Sequence, residues 1–442
     1  MKLAGQTAIV TAVAVTIVEA AAPAAADADV LARPGSGQAR AIHQVLATLG
    51  YGDAIGNEVL GIQRVLRGAG YESEIFVQTA ERRVEHLTLD YLDLLDASHP
   101  DNILIHHFSI GSRASRVAYA LPDRMALVYH NITPPEYFVG VNKTLVKLCF
   151  LGRRELAFYK DRVDLALGDS EYNRQELEAI GFPATAVLPV VPDFSHLGAA
   201  NFIQASQFDD DWVNILFVGR VIPNKRIEDV VRCFHAYKQF FNPRSRLLLV
   251  GSSGGFEKYL SMVQHFIARI GATDVHILGH VANEELAAYY QIADLFLCCS
   301  EHEGFCVPLV ESFHMGVPVL AYAATAVPTT MDGAGILFTN KHPMHVAALI
   351  DAVMNDRALQ DRIIDGQFAA LDRMEAKDFG GTLLKFMDQI AASPRVNRPA
   401  VAFDFWDQLR LQNELEELWA YRPSAFKALP PEGEKISEGA AI

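Results

Sequence analysis

From residue 41 to about residue 338, short apolar runs of strand length alternate with stretches whose apolar residues recur at helical spacing. The runs fall at 41–47, 74–77, 102–106, 125–129 and 166–170, and again at 213–218, 246–251, 276–279 and 293–300. A strand followed by a helix and another strand needs a parallel crossover, so this alternation predicts an α/β fold with doubly wound parallel sheets. At 442 residues the chain is long enough for two such domains, each with its own core. The break is expected where Pro189-Val190-Val191-Pro192 leads into a stretch without periodicity. The organisation read from the pattern is a leader over 1–40, a first domain over 41–192, a linker over 193–211 and a second domain over 212–392. An amphipathic helix within 393–425 and a charged tail over 426–442 complete it.

Half of the residues are hydrophobic, which fits a globular protein, and the formal net charge is −15. That charge argues against a general nucleic-acid binder, because no broad surface would neutralise phosphates. Any anion site must be local. The five cysteines, Cys149, Cys233, Cys298, Cys299 and Cys306, lack paired metal spacing and lie mostly in apolar runs, as reduced core thiols do.

The most informative stretch follows the strand at 293–300 and reads Glu303-Gly304-Phe305-Cys306-Val307-Pro308-Leu309-Val310-Glu311. Pro308 suits a first helical turn and Gly316 a helix stop, so Glu303 is expected on a loop at the carboxyl end of a strand and Glu311 about one turn into the next helix. Open α/β sheets bind ligands at that edge. Gly304 admits close approach of a ligand, and the N–H groups of Phe305, Cys306 and Val307 are placed to meet a phosphate. A second motif opens the other half: Gly219-Arg220 ends the run at 213–218, and Lys225 stands five residues after Arg220, just before a helix. Both cations are expected over the cleft.

With its Glu, seven residues and second Glu, and with the Gly-Arg…Lys element upstream, the sequence resembles the retaining nucleotide-sugar glycosyltransferases of family four, also called group 1. The resemblance covers roughly 42–390 and implies the GT-B architecture, two Rossmann-like domains facing a cleft. It implies that Glu303 lies by the donor sugar, that Glu311 binds the ribose, and that Gly219, Arg220 and Lys225 receive the diphosphate. Val281, in Gly279-His280-Val281, resembles the turn laid against the nucleobase, and His130 the cleft histidine that supports the donor sugar. The glycine-rich turn at 50–57 implies Gly52 and Asp53 near the diphosphate and acceptor; it equally reads as a tight βα connection, since it is not the dinucleotide fingerprint. The first domain would then take the acceptor and the second the donor, with the helix in 393–425 crossing back to the first domain.

The resemblance also implies a sugar moved from a UDP- or GDP-sugar co-substrate to a glycan or lipid-linked acceptor, with no cofactor, no required metal and no nucleic-acid partner. His106-His107 would end a strand on the cleft side, but no carboxylate or cysteine is spaced to complete a metal site with them. Between 141 and 163, Lys143, Lys147, Arg153, Arg154, Lys160 and Arg162 outnumber Glu155 and Asp161, giving either a helix for an anionic membrane surface or an ordinary helix packed on the sheet. The leader, with Lys2, the apolar run at 8–18 and Ala26-Asp27-Ala28, imitates a secretory signal, yet a sugar nucleotide is a cytosolic metabolite. A disordered or misassigned leader and a cytoplasmic enzyme, peripheral at the inner face of the membrane, are therefore expected. A sugar-nucleotide epimerase of the same architecture and a non-catalytic partner subunit stand as alternatives.

Overall fold

The computed structural model describes residues 41–50, 52–190 and 193–394. The leader, the helix expected within 393–425 and the tail lie outside the described residues.

The first domain runs β1 (Ile42–Leu49), α1 (Ala54–Gly68), β2 (Ile75–Ala80), β3 (Leu89–Asp90), α2 (Leu94–Ala97), β4 (Ile103–Phe108), α3 (Arg113–Ala120), β5 (Arg124–Tyr129), α4 (Lys143–Tyr159), β6 (Leu165–Gly168), α5 (Glu171–Ile180) and β7 (Thr185–Val187). The second runs β8 (Val213–Val218), α6 (Ile227–Phe240), β9 (Ser245–Val250), α7 (Glu257–Ile270), β10 (Val275–Gly279), α8 (Asn283–Ile292), β11 (Leu295–Cys298), α9 (Val307–His314), β12 (Val319–Tyr322), α10 (Val327–Met331) and β13 (Ile336–Phe338). Three helices follow: α11 (Pro343–Asn355), α12 (Arg357–Glu375) and α13 (Phe379–Ala392).

Both sheets are parallel, with strand orders β3-β2-β1-β4-β5-β6-β7 and β10-β9-β8-β11-β12-β13. In each, the order reverses beside its first strand, between β1 and β4 and between β8 and β11. Those two reversals open crevices at the carboxyl ends of the strands, where a ligand can enter without unpairing the sheet. Alternation of side chains explains the double cover: in β4, Leu104 and Phe108 join one apolar cluster, whereas Ile103 and Ile105 join another on the opposite face.

Helix α13 returns to the first domain: Leu383, Met387 and Ile390 form one stripe, buried against Ile42, Ile103, Ile105, Ala126 and Val128. Its carboxyl end is held by Arg124, which donates to the carbonyls of Ile390 (2.8 Å) and Ser393 (2.7 Å), placing a cation at the negative end of the helix. The stretch 193–211 is also no free tether, because Leu197, Ala205 and Phe208 are buried in the second domain's core and Asn201 N–H donates to Glu284 O at 2.7 Å. Finally, α4 turns Arg153 inward, where it bonds Ile132 O (2.6 Å) and pairs with Glu176, while just past the helix Arg162 is buried and donates to the carbonyls of Tyr119, Leu121 and Asp123. No helix of the described residues is long and apolar enough to cross a membrane.

Because α13 completes the first domain's core, Leu383→Ala should destabilise the protein by about 2–5 kcal/mol, as a buried Leu truncation typically does. Hydrogen exchange should show the loss of protection in β1, β4 and β5 as well as in α13. Loss confined to the second domain would contradict the crossing.

Candidate active site

The centre of the cleft is built from the two strands that flank the second reversal. After β8, Gly219 turns the chain with φ 150°, and Gly251 at the end of β9 lies so close that an added Cβ would stand 1.9 Å from Gly219 O. This packing sets where Arg220 leaves the sheet. Its guanidinium lies over the Phe256 ring at 5.3 Å and donates to Gly254 O at 3.5 Å, and Phe256 in turn packs on Phe138 of the first domain. Partial burial lowers the Arg220 pKa, with Asp53 of the facing domain opposing that shift.

Lys225 ends a short 3-10 turn, Pro223–Lys225, and its Nζ lies 2.5 Å from both carboxylate oxygens of Glu303. Burial by itself would lower the Lys225 pKa; the Glu303 charge outweighs it and the pKa is raised. Around the pair, Asn224 donates to His302 O (3.0 Å), its own carbonyl accepts from Glu301 N–H (2.9 Å), and Glu303 N–H donates to Thr325 Oγ1 (2.8 Å). The loop after β11 is thus tied to the loop after β8 over 78 residues of chain. Gly304 meets the first domain: a Cβ there would lie 3.0 Å from Asn131 Cβ, and His302 Nε2 donates to Asn131 Oδ1 across the cleft. Burial brings His302 down to about 4, so at neutral pH it makes this bond as the uncharged imidazole.

Glu311 is buried in the first turns of α9 and accepts two bonds, from Tyr290 OH at 2.8 Å on Oε2 and from His196 Nε2 at 2.9 Å on Oε1. The hydrogen bond to Glu311 raises the His196 pKa despite burial. Phe305 precedes the helix with its carbonyl bonded to Thr330 (2.5 Å), Cys306 takes a left-handed φ of 75°, and Val307 begins α9 with Pro308 in the first turn. Val281 is half-buried in the turn after β10.

On the opposite wall, Gly52 is exposed with φ 72°, and Asp53 caps α1 by accepting from Gly56 N–H at 2.6 Å. His130 follows β5, is buried, and bonds His107 at 2.9 Å. The His106-His107 pair is split by strand alternation: His106 points to Ser115 (3.2 Å) in the core, while His107 faces His130 and Gln44. The two therefore cannot chelate together, and His106 is not a cleft residue. One group with metal-ligand geometry does exist among the described residues, Cys298, Glu303 and Cys306, with ligand atoms within 4.8 Å of one another. Spacing in the sequence did not show it, and Lys225 already neutralises its carboxylate. All five cysteines are free and buried, as expected.

Two Rossmann-like sheets facing a cleft that carries paired cations and carboxylates define a GT-B protein. Residues 199–367 match the family described as glycosyl transferases group 1, a match over less than half of the chain. It is 27% identical over 225 residues to the O-antigen chain mannosyltransferase B of Escherichia coli, a match over 49% of this chain and 57% of that protein. It is 30% identical over 153 residues to the alpha-monoglucosyldiacylglycerol synthase of Acholeplasma laidlawii, over 34% of this chain and 37% of that one. The chain thus matches about half or less of these curated relatives' length. Among solved structures it is similar in fold to HepE of Anabaena, crystallised with UDP-glucose, at TM-score 0.64, 17% identity and coverage of 79% and 99%. A similar likeness, TM-score 0.64 and 16% identity over 80% and 100%, joins it to the sucrose-phosphate synthase of Thermosynechococcus elongatus.

Lys225→Met leaves Glu303 charged and buried without its cation and should cost about 3 kcal/mol in urea unfolding. Adding Glu303→Gln should recover most of that loss. A double variant as unstable as Lys225→Met would show that the pair is not the interaction removed.

Proposed function

We propose that this chain is a retaining, metal-independent glycosyltransferase that moves a sugar from a UDP- or GDP-sugar to a glycan or lipid-linked acceptor in cell-surface polysaccharide synthesis on the cytoplasmic side. The observation that carries this reading is the position of Arg220, Lys225, Glu303 and Glu311 around one strand-order reversal. A departing nucleoside diphosphate gains negative charge as the glycosidic bond breaks, and two cations held by packing and by a buried carboxylate need no reorganisation to meet it. Glu311, fixed by Tyr290 and His196, suits ribose hydroxyls, and Glu303 the sugar beside them. Front-face substitution, in which the departing phosphate takes the acceptor's proton, requires no further carboxylate. Contacts such as His302–Asn131 and Phe256–Phe138 close the cleft and keep water from the donor.

A panel of UDP- and GDP-sugars, incubated with and without acceptor, separates the readings: transfer with release of nucleoside diphosphate supports this one, whereas an epimerised donor or binding without turnover would replace it. Arg220→Ala should reduce kcat roughly 10²–10³-fold, since its stabilisation grows toward the transition state. Glu311→Ala should mainly raise the donor KM. Unchanged constants in both would remove the donor-site assignment. Turnover should also survive EDTA; a rate lost to chelation and restored by Mg²⁺ or Mn²⁺ would overturn metal independence.

Attachment to an anionic leaflet through α4 would rest on Lys143, Lys147 and Lys160, given the inward roles of Arg153 and Arg162. Replacing those three lysines by Glu should abolish co-sedimentation with acidic liposomes. Equal sedimentation with neutral vesicles would remove the membrane surface from the account.

A further inference from the structure

Glu311 is held by a histidine whose two ring nitrogens both face acceptors. His196 lies on the short turn Ser195–Leu197, which Leu197 anchors in the second domain's core. Its Nε2 is 2.9 Å from Glu311 Oε1, and its Nδ1 is 3.0 Å from the main-chain carbonyl of Asp193. A carbonyl oxygen can only accept, and so can a carboxylate, which here accepts also from Tyr290 OH through its other oxygen. A neutral imidazole carries one N–H, so it satisfies one of these two acceptors and turns a lone pair on the other. The imidazolium satisfies both.

The groups packed around the ring favour that charged form. On its own turn, the Asp193 carboxylate accepts from Ser195 N–H at 2.9 Å, and its bonds to Ser195 hold it below its ordinary pKa, so it stays negative. From α9, Glu311 meets the ring directly. His314, on the same helix, stacks on Phe194 at 4.3 Å, and burial lowers its pKa against the opposing charge of Glu375 on α12. From α8, Tyr290 is a neutral phenol, raised well above its ordinary pKa by burial. From α1 of the first domain, the Arg64 charge reaches Asp193. The bond to Glu311 is the largest influence on His196 and lifts its pKa, while 22% of its side chain remains exposed, so the proton can exchange with solvent.

Resting on the transferase reading above, we propose that His196 is a positioning residue that acts as an imidazolium and holds the Glu311 carboxylate in place for the ribose hydroxyls. Nucleotide affinity then depends on one proton carried by the segment before β8. Because the folded chain favours the protonated ring, its hold on Glu311 is complete below the ordinary histidine range and is lost as pH rises through the raised pKa. Loss of the proton either turns a lone pair on Glu311 or releases the ring from Asp193 O, and both loosen the carboxylate.

The test is calorimetric titration of the full chain with UDP and GDP from about pH 6 to about pH 9, beside the 2′,3′-dideoxy nucleotides, which keep the phosphates and base but lack the ribose hydroxyls. The Kd of whichever nucleotide binds should weaken by about 10- to 100-fold across that range, beyond any change in its dideoxy form, as the loss of one hydrogen bond between charged groups implies. His196→Gln, which can donate to Glu311 but cannot take up a proton, should bind more weakly at low pH and lack the extra pH dependence. Tyr290→Phe should also bind more weakly yet keep that dependence, because the titrating ring remains. A folded His196→Gln with the wild-type pH profile, or a wild type whose ribose and dideoxy profiles run parallel, overturns the role of His196 and leaves the transferase reading intact. A wild type that binds neither nucleotide and turns over no sugar nucleotide overturns both.

Discussion

The Lys225–Glu303 ion pair is the contact on which the cleft depends. Two charges taken out of water gain stability only when geometry is good and the remaining polar atoms are satisfied. Here Nζ reaches both oxygens at 2.5 Å, and the backbone around the pair is tied by Asn224 and Thr325. The pair therefore fixes two loops that the strand order brings together, one after β8 and one after β11. The loop after β8 has only the short 3-10 turn Pro223–Lys225 at that point, and the loop after β11 has no regular element around Glu303. What positions them is the requirement that a buried ammonium and a buried carboxylate find each other.

In the proposed reading, Arg220 and Lys225 let the cleft take an anion in a chain of net charge −15. Screening makes the distant negative surface weak beyond roughly 8–10 Å, whereas Arg220 and Lys225 act at contact distance from a site of reduced dielectric. Arg220 is braced differently, by Phe256 and by the tight approach of Gly251 to Gly219. One cation is held by charge and the other by packing, so the two do not compete for a carboxylate.

Much of this was legible in the sequence because its signals are local. Alternating strand and helix patterns placed the parallel strands, and Pro308 and Gly316 bracketed α9 correctly. Long-range partners left no such trace. Tyr290 and His196 lie 21 and 115 residues from Glu311, and only the folded chain brings them to its two oxygens. Glu58 and Asp169 sit in different βα units and are joined through His130. The His106-His107 pair misled because adjacency along a strand means opposite faces of the sheet. The return of α13 to the first domain left no trace in the sequence, because its apolar pattern is that of the helices before it; the pattern says that a face is buried, not which domain buries it.

The segment before β8 shows how such a partner can serve the site. Its Leu197, Ala205 and Phe208 anchor it to the second domain, and this anchoring holds His196 against Glu311. With Tyr290 on one oxygen and His196 on the other, the Glu311 carboxylate is oriented while each oxygen keeps a further lone-pair direction. In the proposed reading, ribose hydroxyls can then be accepted without breaking either bond, so no rotamer has to be reset when the nucleotide enters. Removing either partner would leave the carboxylate in place but free to turn, and the loss would appear as weaker nucleotide binding before any loss of chemistry.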